Sequence, residues 1–300
     1  INKNMQKSWI SLGLMSGTSG DGVDASIIRT NGVNEYELIQ DNFFEYDSKI
    51  YKDIHKLKEK IHKIEHLEKY KEEINNLERN ITIFHAAIVK QLNISEKTII
   101  GFHGQTIYHN PHEKISRQLG NGKLLNQLTN RNIIYNFRKN DILNGGQGAP
   151  LTPVFHHLIS LKNEITLPVC FLNIGGISNI TIVKDKENLS ELISKDIGPG
   201  NCLVDTWVRK NSNKKFDQDG KLALSGTKNE IIFEQAQELY ANRNNKKKLS
   251  FDVNDFDISF VRGLNLPDGV ATLTDFTASI IGEELSSSLN DFKEKTLDIL

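Results

Sequence analysis

The segment Gly13-Leu-Met-Ser-Gly-Thr-Ser-Gly-Asp-Gly-Val-Asp24 gathers glycines, hydroxyls and carboxylates into one short stretch. An apolar run from Trp9 to Leu14 stops there, and a second β-like run resumes at Ala25-Ser26-Ile27-Ile28. The pattern reads as strand, tight turn, strand. Gly17, Gly20 and Gly22 let the backbone bend sharply and bare N–H groups, while Thr18 and Ser19 add hydroxyl donors. Such a turn can wrap a phosphate tail. Asp21 and Asp24 are placed to hold a hydrated divalent cation or a sugar hydroxyl. A plain hairpin with capping aspartates uses the same residues.

A second turn has the same build: Leu172-Asn-Ile-Gly-Gly-Ile-Ser-Asn-Ile180 runs from strand through Gly175 and Gly176 into strand. The pair looks like two copies of one device, expected to grip one polyphosphate from two sides of a cleft. Neither GxxxxGK[ST] nor GxGxxG is present, which excludes a Walker loop and a Rossmann fingerprint. Asp196-Ile-Gly-Pro-Gly-Asn201 puts a carboxylate at an expected strand end, before a helix whose N-terminus can hold phosphate oxygens. Asp196 can take a proton from an attacking hydroxyl or water, or it can be a simple turn or cap residue. Gly101-Phe-His-Gly-Gln-Thr106 ends another strand with His103, Gln105 and Thr106, side chains able to hydrogen-bond a polyol or to serve structure alone. Arg138, ahead of the glycine bend 145–148, suits a carboxylate substrate or a charged inter-lobe loop. Asp217 and Asp219 resemble half a calcium loop without its downstream ligands and read as a turn. His156-His157 has no HExxH context.

The elements that must position these residues alternate along the chain. Trp9–Met15, Asp24–Arg29 and Tyr36–Tyr46 read as an antiparallel meander. From Ser48 to Leu92, apolar residues recur every three or four positions, predicting long amphipathic helices over a sheet rather than a coiled coil. The histidines His55, His62 and His66 read as part of a solvated face. Beyond them, strands are expected at Thr98–Phe102, Asn132–Phe137, Val169–Ile174, Ile180–Val183 and Leu192–Lys195. Helices are expected at Leu124–Thr129, Pro150–Leu161, Leu203–Lys210, Lys228–Tyr240 and Ala271–Leu289. This is a mixed α/β pattern in two halves, 8–130 and 131–300. Lys246-Lys247-Lys248 reads as a solvated loop patch.

Three hundred residues fit about two domains. The chain is 38% hydrophobic and 25% charged, values of a soluble globular protein. A net charge of −1 gives no bulk attraction to nucleic acid or membrane. Cys170 and Cys202 form no zinc or disulfide pattern, so a reduced, cytoplasmic setting is expected. No apolar run spans a bilayer, and the polar N-terminus lacks a signal-peptide core. The chain begins with Ile1, and Met5 reads as the start.

Five blocks occur in the order seen in the anhydro-N-acetylmuramic acid kinases: Gly13–Asp24, Gly101–Thr106, Gly145–His156, Leu172–Thr181 and Asp196–Asn201. The chain resembles that family from about Leu12 to about Ala278. The resemblance implies a two-lobed actin/hexokinase/Hsp70-like (ribonuclease H-like) α/β kinase fold. It implies a bacterial cytoplasmic enzyme, with a homodimer as its assembly. Family members use ATP and Mg²⁺ to open the 1,6-anhydro ring with water and phosphorylate O6. By that likeness Asp196 is the catalytic base. Gly17, Thr18, Ser19, Gly20, Asp21, Gly22, Val23, Asp24, Gly175 and Gly176 bind ATP. His103, Gln105, Thr106 and Arg138 fall where the sugar site is expected. From the residues themselves, Asp21 is the expected metal ligand. Asn136 stands where the family usually has Asp, and Lys139-Asn140 where it has Arg-Arg. The family also continues past the counterpart of Leu300, into a Gly-Gly-Gly adenine-side motif and a glutamate-bearing helix. The expectation is therefore a missing last lobe segment, in a fragment of a working kinase. The alternatives are a non-catalytic binding relic and a phosphohydrolase on the same fold.

Overall fold

The computed structural model describes residues 8–242, 251, 253–292 and 298–300. Met5 and the Lys246–Lys248 patch lie outside them. The chain forms two compact units, residues 1–149 and 150–300. The division falls later than the boundary expected near Asn130. Residues 132–135 pair with the first sheet and so belong to the first unit.

In the first unit β1 (Trp9–Ser16), β2 (Gly22–Thr30) and β3 (Tyr36–Glu45) form the expected antiparallel meander. α1 (Ser48–Lys60), α2 (Glu65–Lys69) and α3 (Lys71–Gln91) follow. Asp47 caps α1, its carboxylate accepting the Lys49 and Ile50 N–H groups at 2.8 Å each. Ile50, Ile54 and Leu57 of α1 bury against Leu12, Leu14, Val23 and Ala25 of the sheet. Ile74, Leu77 and Ile81 of α3 join the same core. The helical spacing thus covers a sheet, as predicted.

β4 (Ile99–Asn110) lies parallel to β1, and β5 (Ile115–Leu119) turns back antiparallel to it. β4 is longer than expected. It runs on through 103–106, because Gly104 at φ +75° lets the strand pass Leu119 closely; a Cβ there would lie 2.3 Å from the Leu119 carbonyl. α4 (Gly122–Thr129) leads to β6 (Asn132–Tyr135), also parallel to β4. α5 (Phe137–Leu143) then occupies part of what reads in sequence as a loop. Asn136 precedes it at φ +63°, a left-handed conformation that Asn accepts readily.

The second unit repeats the plan. α6 (Pro153–Lys162) precedes β7 (Val169–Ile174), β8 (Ile177–Val183) and β9 (Ile193–Pro199), another antiparallel meander. β10 (Asp298–Ile299) lies parallel to β7. The strand orders β3-β2-β1-β4 and β9-β8-β7-β10 match position for position. α7 (Cys202–Asn211), α8 (Lys221–Ser225), α9 (Glu230–Ala241) and α10 (Leu266–Ser288) complete the unit. Leu203, Trp207 and Val208 of α7 pack on Val270, Leu273 and Phe276 of α10. Asp217 caps α8 through the Leu222 and Ala223 N–H groups, in keeping with a turn. Cys170 and Cys202 are buried free thiols. Among the described residues no helix is long and apolar enough to cross a membrane.

Candidate functional site

Within the first unit, parallel pairing of β1 and β4 brings two motifs together. Met15 stands beside Gly104 and Ser16 beside Gln105, so the first glycine turn adjoins the His103–Thr106 segment. The turn closes with Gly20 N–H donating to the Gly17 carbonyl at 3.2 Å, and Gly20 takes φ +66°. The Ser19 hydroxyl donates to Asp21 Oδ1 at 2.6 Å. Gly22 admits no side chain, since a Cβ would lie 2.4 Å from the Phe44 carbonyl. Val23 is core. Asp24 lies on the exposed face, its carboxyl held above the usual range by loss of solvent and then by the charges of Asp21 and Asp41.

His103 and Arg138 form a pair. His103 Nδ1 bonds the Gly104 carbonyl at 2.7 Å, so Nδ1 carries the hydrogen and Nε2 accepts. Arg138 Nε donates to that Nε2 at 2.8 Å. Burial, followed by the Arg138 guanidinium, pushes the His103 pKa down to about 4, keeping it a neutral acceptor. Arg138 Nη1 also holds the Gly148 carbonyl at 2.8 Å, and Asp141 Oδ2 accepts the Gly148 N–H at 2.7 Å. The guanidinium and the glycine bend are therefore fixed together. Thr106 is half-buried, its hydroxyl accepting from Gln118 Nε2 at 3.2 Å. Gln105 is fully buried and donates to the Gly17 carbonyl at 2.9 Å, so its amide serves the turn.

In the second unit, the glycine turn and the Asp196 motif also meet. The Gly175 carbonyl accepts from Asn201 N–H at 2.7 Å; the Gly176 carbonyl accepts from Gly200 at 2.9 Å and Cys202 at 3.2 Å. The glycine turn is thus laced to the segment that leads into α7, with Cys202 the one donor among these three that belongs to the helix itself. Asp196 lies inside β9, opposite Asn179, rather than at a strand end. It is 7% exposed, and Oδ2 accepts from Phe251 N–H at 2.8 Å. Gly198 at φ +151° carries the strand past Ile280 of α10.

Sequence reading missed the side chains that hold the first turn: buried Ser16, Tyr46 and His85, and the partly exposed Lys58. Ser16 directly precedes Gly17, but its partners Tyr46 and His85 are 30 and 69 residues away, with no local signal. Among the described residues no group of three or more His, Cys, Asp or Glu could hold a metal.

A family model described as anhydro-N-acetylmuramic acid kinase matches residues 9–298. A protein of that name from Pelagibacter ubique is 52% identical over 299 residues, covering 99% of this chain and 80% of that protein. Its namesake from Agrobacterium fabrum is 34% identical over 279 residues, covering 90% and 74%. The Zymomonas mobilis one is 35% identical over 306 residues, covering 97% and 80%. Among solved structures, an exopolyphosphatase-like protein aligns at a TM-score of 0.36 and 12% identity, covering 80% of this chain and 64% of its own. The family match covers both units. It lends no support to a missing last lobe segment, to a fragment, or to a non-catalytic relic.

Proposed function

We propose that this chain, which belongs to the anhydro-N-acetylmuramic acid kinase family, hydrolyses the 1,6-anhydro ring of anhydro-N-acetylmuramic acid and phosphorylates O6 from ATP. The observation that carries the reading is the family match across residues 9–298. Repetition of one strand–glycine turn–strand device in two sheets of equivalent order supports it. We read the two units as the lobes of an actin/hexokinase-type, ribonuclease H-like kinase. A homodimer in the bacterial cytoplasm accords with the family resemblance.

In the proposed reaction water attacks C1 and the C1–O6 bond breaks. O6 then forms its bond to the γ-phosphorus as ADP leaves. Asp196 accepts the proton from the water and returns it to solvent, with the Phe251 N–H fixing the plane of its carboxylate. Gly17–Asp24 and Gly175–Gly176 present backbone N–H groups and hydroxyls to phosphate oxygens; such transfer rests mainly on positioning and charge stabilisation. His103 and Arg138 are the sugar contacts with the firmest geometry: Arg138 offers charge, and His103 holds it in place.

Magnesium usually keeps several waters and takes one or two carboxylates besides phosphate oxygens. Asp21 and Asp24 fit that donor set, since they lie close enough for one charge to raise the other's pKa. A magnesium ion there would supply neutralisation of phosphate charge.

The reading is tested by incubating the chain with ATP, Mg²⁺ and 1,6-anhydro-N-acetylmuramic acid and identifying products by mass. Ring-opened N-acetylmuramic acid 6-phosphate is expected. ATP consumption without any phosphorylated sugar would favour the phosphohydrolase instead.

A further inference from the structure

The first glycine turn is tied to the unit beneath it at four points. Ser16, at its entry, is 1% exposed, and its Oγ lies 2.8 Å from the Tyr46 hydroxyl and 3.4 Å from His85 Nε2. His85 Nδ1 lies 2.8 Å from the Ile81 carbonyl, which can only accept, so Nδ1 carries the hydrogen and Nε2 a lone pair. Ser16 must then donate to His85, leaving its Oγ to accept from Tyr46. The chain of donors has one direction and ends on α3. At the exit of the turn, the Tyr46 N–H donates to the Asp21 carbonyl at 2.8 Å. One residue, Tyr46, therefore grips both ends.

The middle of the turn is held by side chains. Gln105 Nε2 donates to the Gly17 carbonyl at 2.9 Å, and Lys58 Nζ to the Thr18 carbonyl at 2.5 Å. The Gly17 carbonyl fixes which way round the Gln105 amide sits, because the flipped amide would set two acceptors against each other. Gln105 Oε1 is then left buried without a hydrogen-bond partner, a cost accepted to keep the bond to Gly17. A trans peptide points its N–H opposite its carbonyl. With the Gly17 carbonyl turned to buried Gln105 and the Thr18 carbonyl to Lys58 of α1, the Thr18 and Ser19 N–H groups point away from these partners.

We propose that Tyr46 and Gln105 are positioning residues that pre-set this turn, so that the Thr18 and Ser19 amides stand ready for a nucleotide phosphate. This rests on the reading of the turn as an ATP-phosphate contact. It moves Gln105 from the sugar side to the nucleotide side of the reaction.

The test uses the full chain with two changes of similar shape, Tyr46→Phe and Gln105→Met, each removing a donor. Each raises KM for ATP about tenfold, the equivalent of one lost hydrogen bond, and leaves the sugar KM within about twofold. Shape-preserving variants with wild-type ATP KM would overturn the proposal. So would a Gln105→Met effect confined to the sugar KM. Gly20→Ala, which strains the φ +66° turn itself, separates this from the parent reading. If it alone raises the ATP KM, the positioning role fails and the phosphate turn stands. If none of the three variants changes the ATP KM of an active enzyme, the phosphate-turn reading fails with it. Melting temperatures on the same samples identify any variant that has lost its fold.

Discussion

At the scale of single residues, burial and hydrogen-bond partners decide what each side chain is free to do. Asp196 is buried and oriented by Phe251, a setting that suits a base. Asp196→Asn keeps the shape and removes the basicity, so kcat falls on the order of a hundred- to ten-thousand-fold. Binding of ADP, followed by calorimetry, stays near wild type; near-normal turnover would refute the assignment. Gly175 has room for a side chain within the protein, the nearest atoms lying 3.6 Å from a Cβ, so Gly175→Val leaves the fold intact. Its branches would stand where phosphate approaches, raising KM for ATP roughly tenfold, the worth of one phosphate hydrogen bond. An unchanged ATP KM would remove the second turn from the nucleotide site.

His85 and His103 carry a different prediction. Burial pushes both down to about 4, with Arg138 adding to the effect at His103. The unfolded chain, titrating near 6.5, takes up protons first as pH falls. The stabilisation is therefore complete above about pH 6.5 and is lost between there and pH 4. Each histidine costs the fold on the order of 2 kcal/mol at pH 5 relative to pH 7.5. Urea midpoints at the two pH values measure it, and His85→Asn shrinks the difference. A wild-type midpoint independent of pH over this window would contradict the neutral His85–Ser16 bond.

At the scale of elements, close backbone approaches set the geometry. A Cβ at Gly200 would lie 2.2 Å from the Gly175 carbonyl, where the start of α7 meets the glycine turn. Gly200→Ala forces them apart and destabilises the unit by roughly 2–4 kcal/mol, read as a fall in melting temperature; a stable variant would mean that the junction is soft. The meander strands and the amphipathic helices were legible in the sequence, because period-2 and period-3.6 apolar patterns mark them directly. β5 and α5 were not. β5, Ile115–Leu119, is a short strand without strict alternation, and α5 begins at a left-handed Asn136 inside a polar, charged stretch. Asp196 read as a strand end because its glycines resemble a turn, yet the strand continues to Pro199 on backbone pairing that no side chain announces.

At the scale of the whole molecule, two units share one strand order, and each carries one glycine turn. Both turns and the Asp196 motif were legible, since glycines and carboxylates in a short span signal themselves. The division after Ala149 was not, because the parallel pairing of β6 with β4 is long-range and leaves no local mark. The ties beneath the first turn were invisible for the same reason. The most direct test of the central claim is release of ADP with and without 1,6-anhydro-N-acetylmuramic acid, at saturating ATP and Mg²⁺. ADP release is expected to depend on the sugar and to match N-acetylmuramic acid 6-phosphate mole for mole. ADP release at the same rate without the sugar would contradict it.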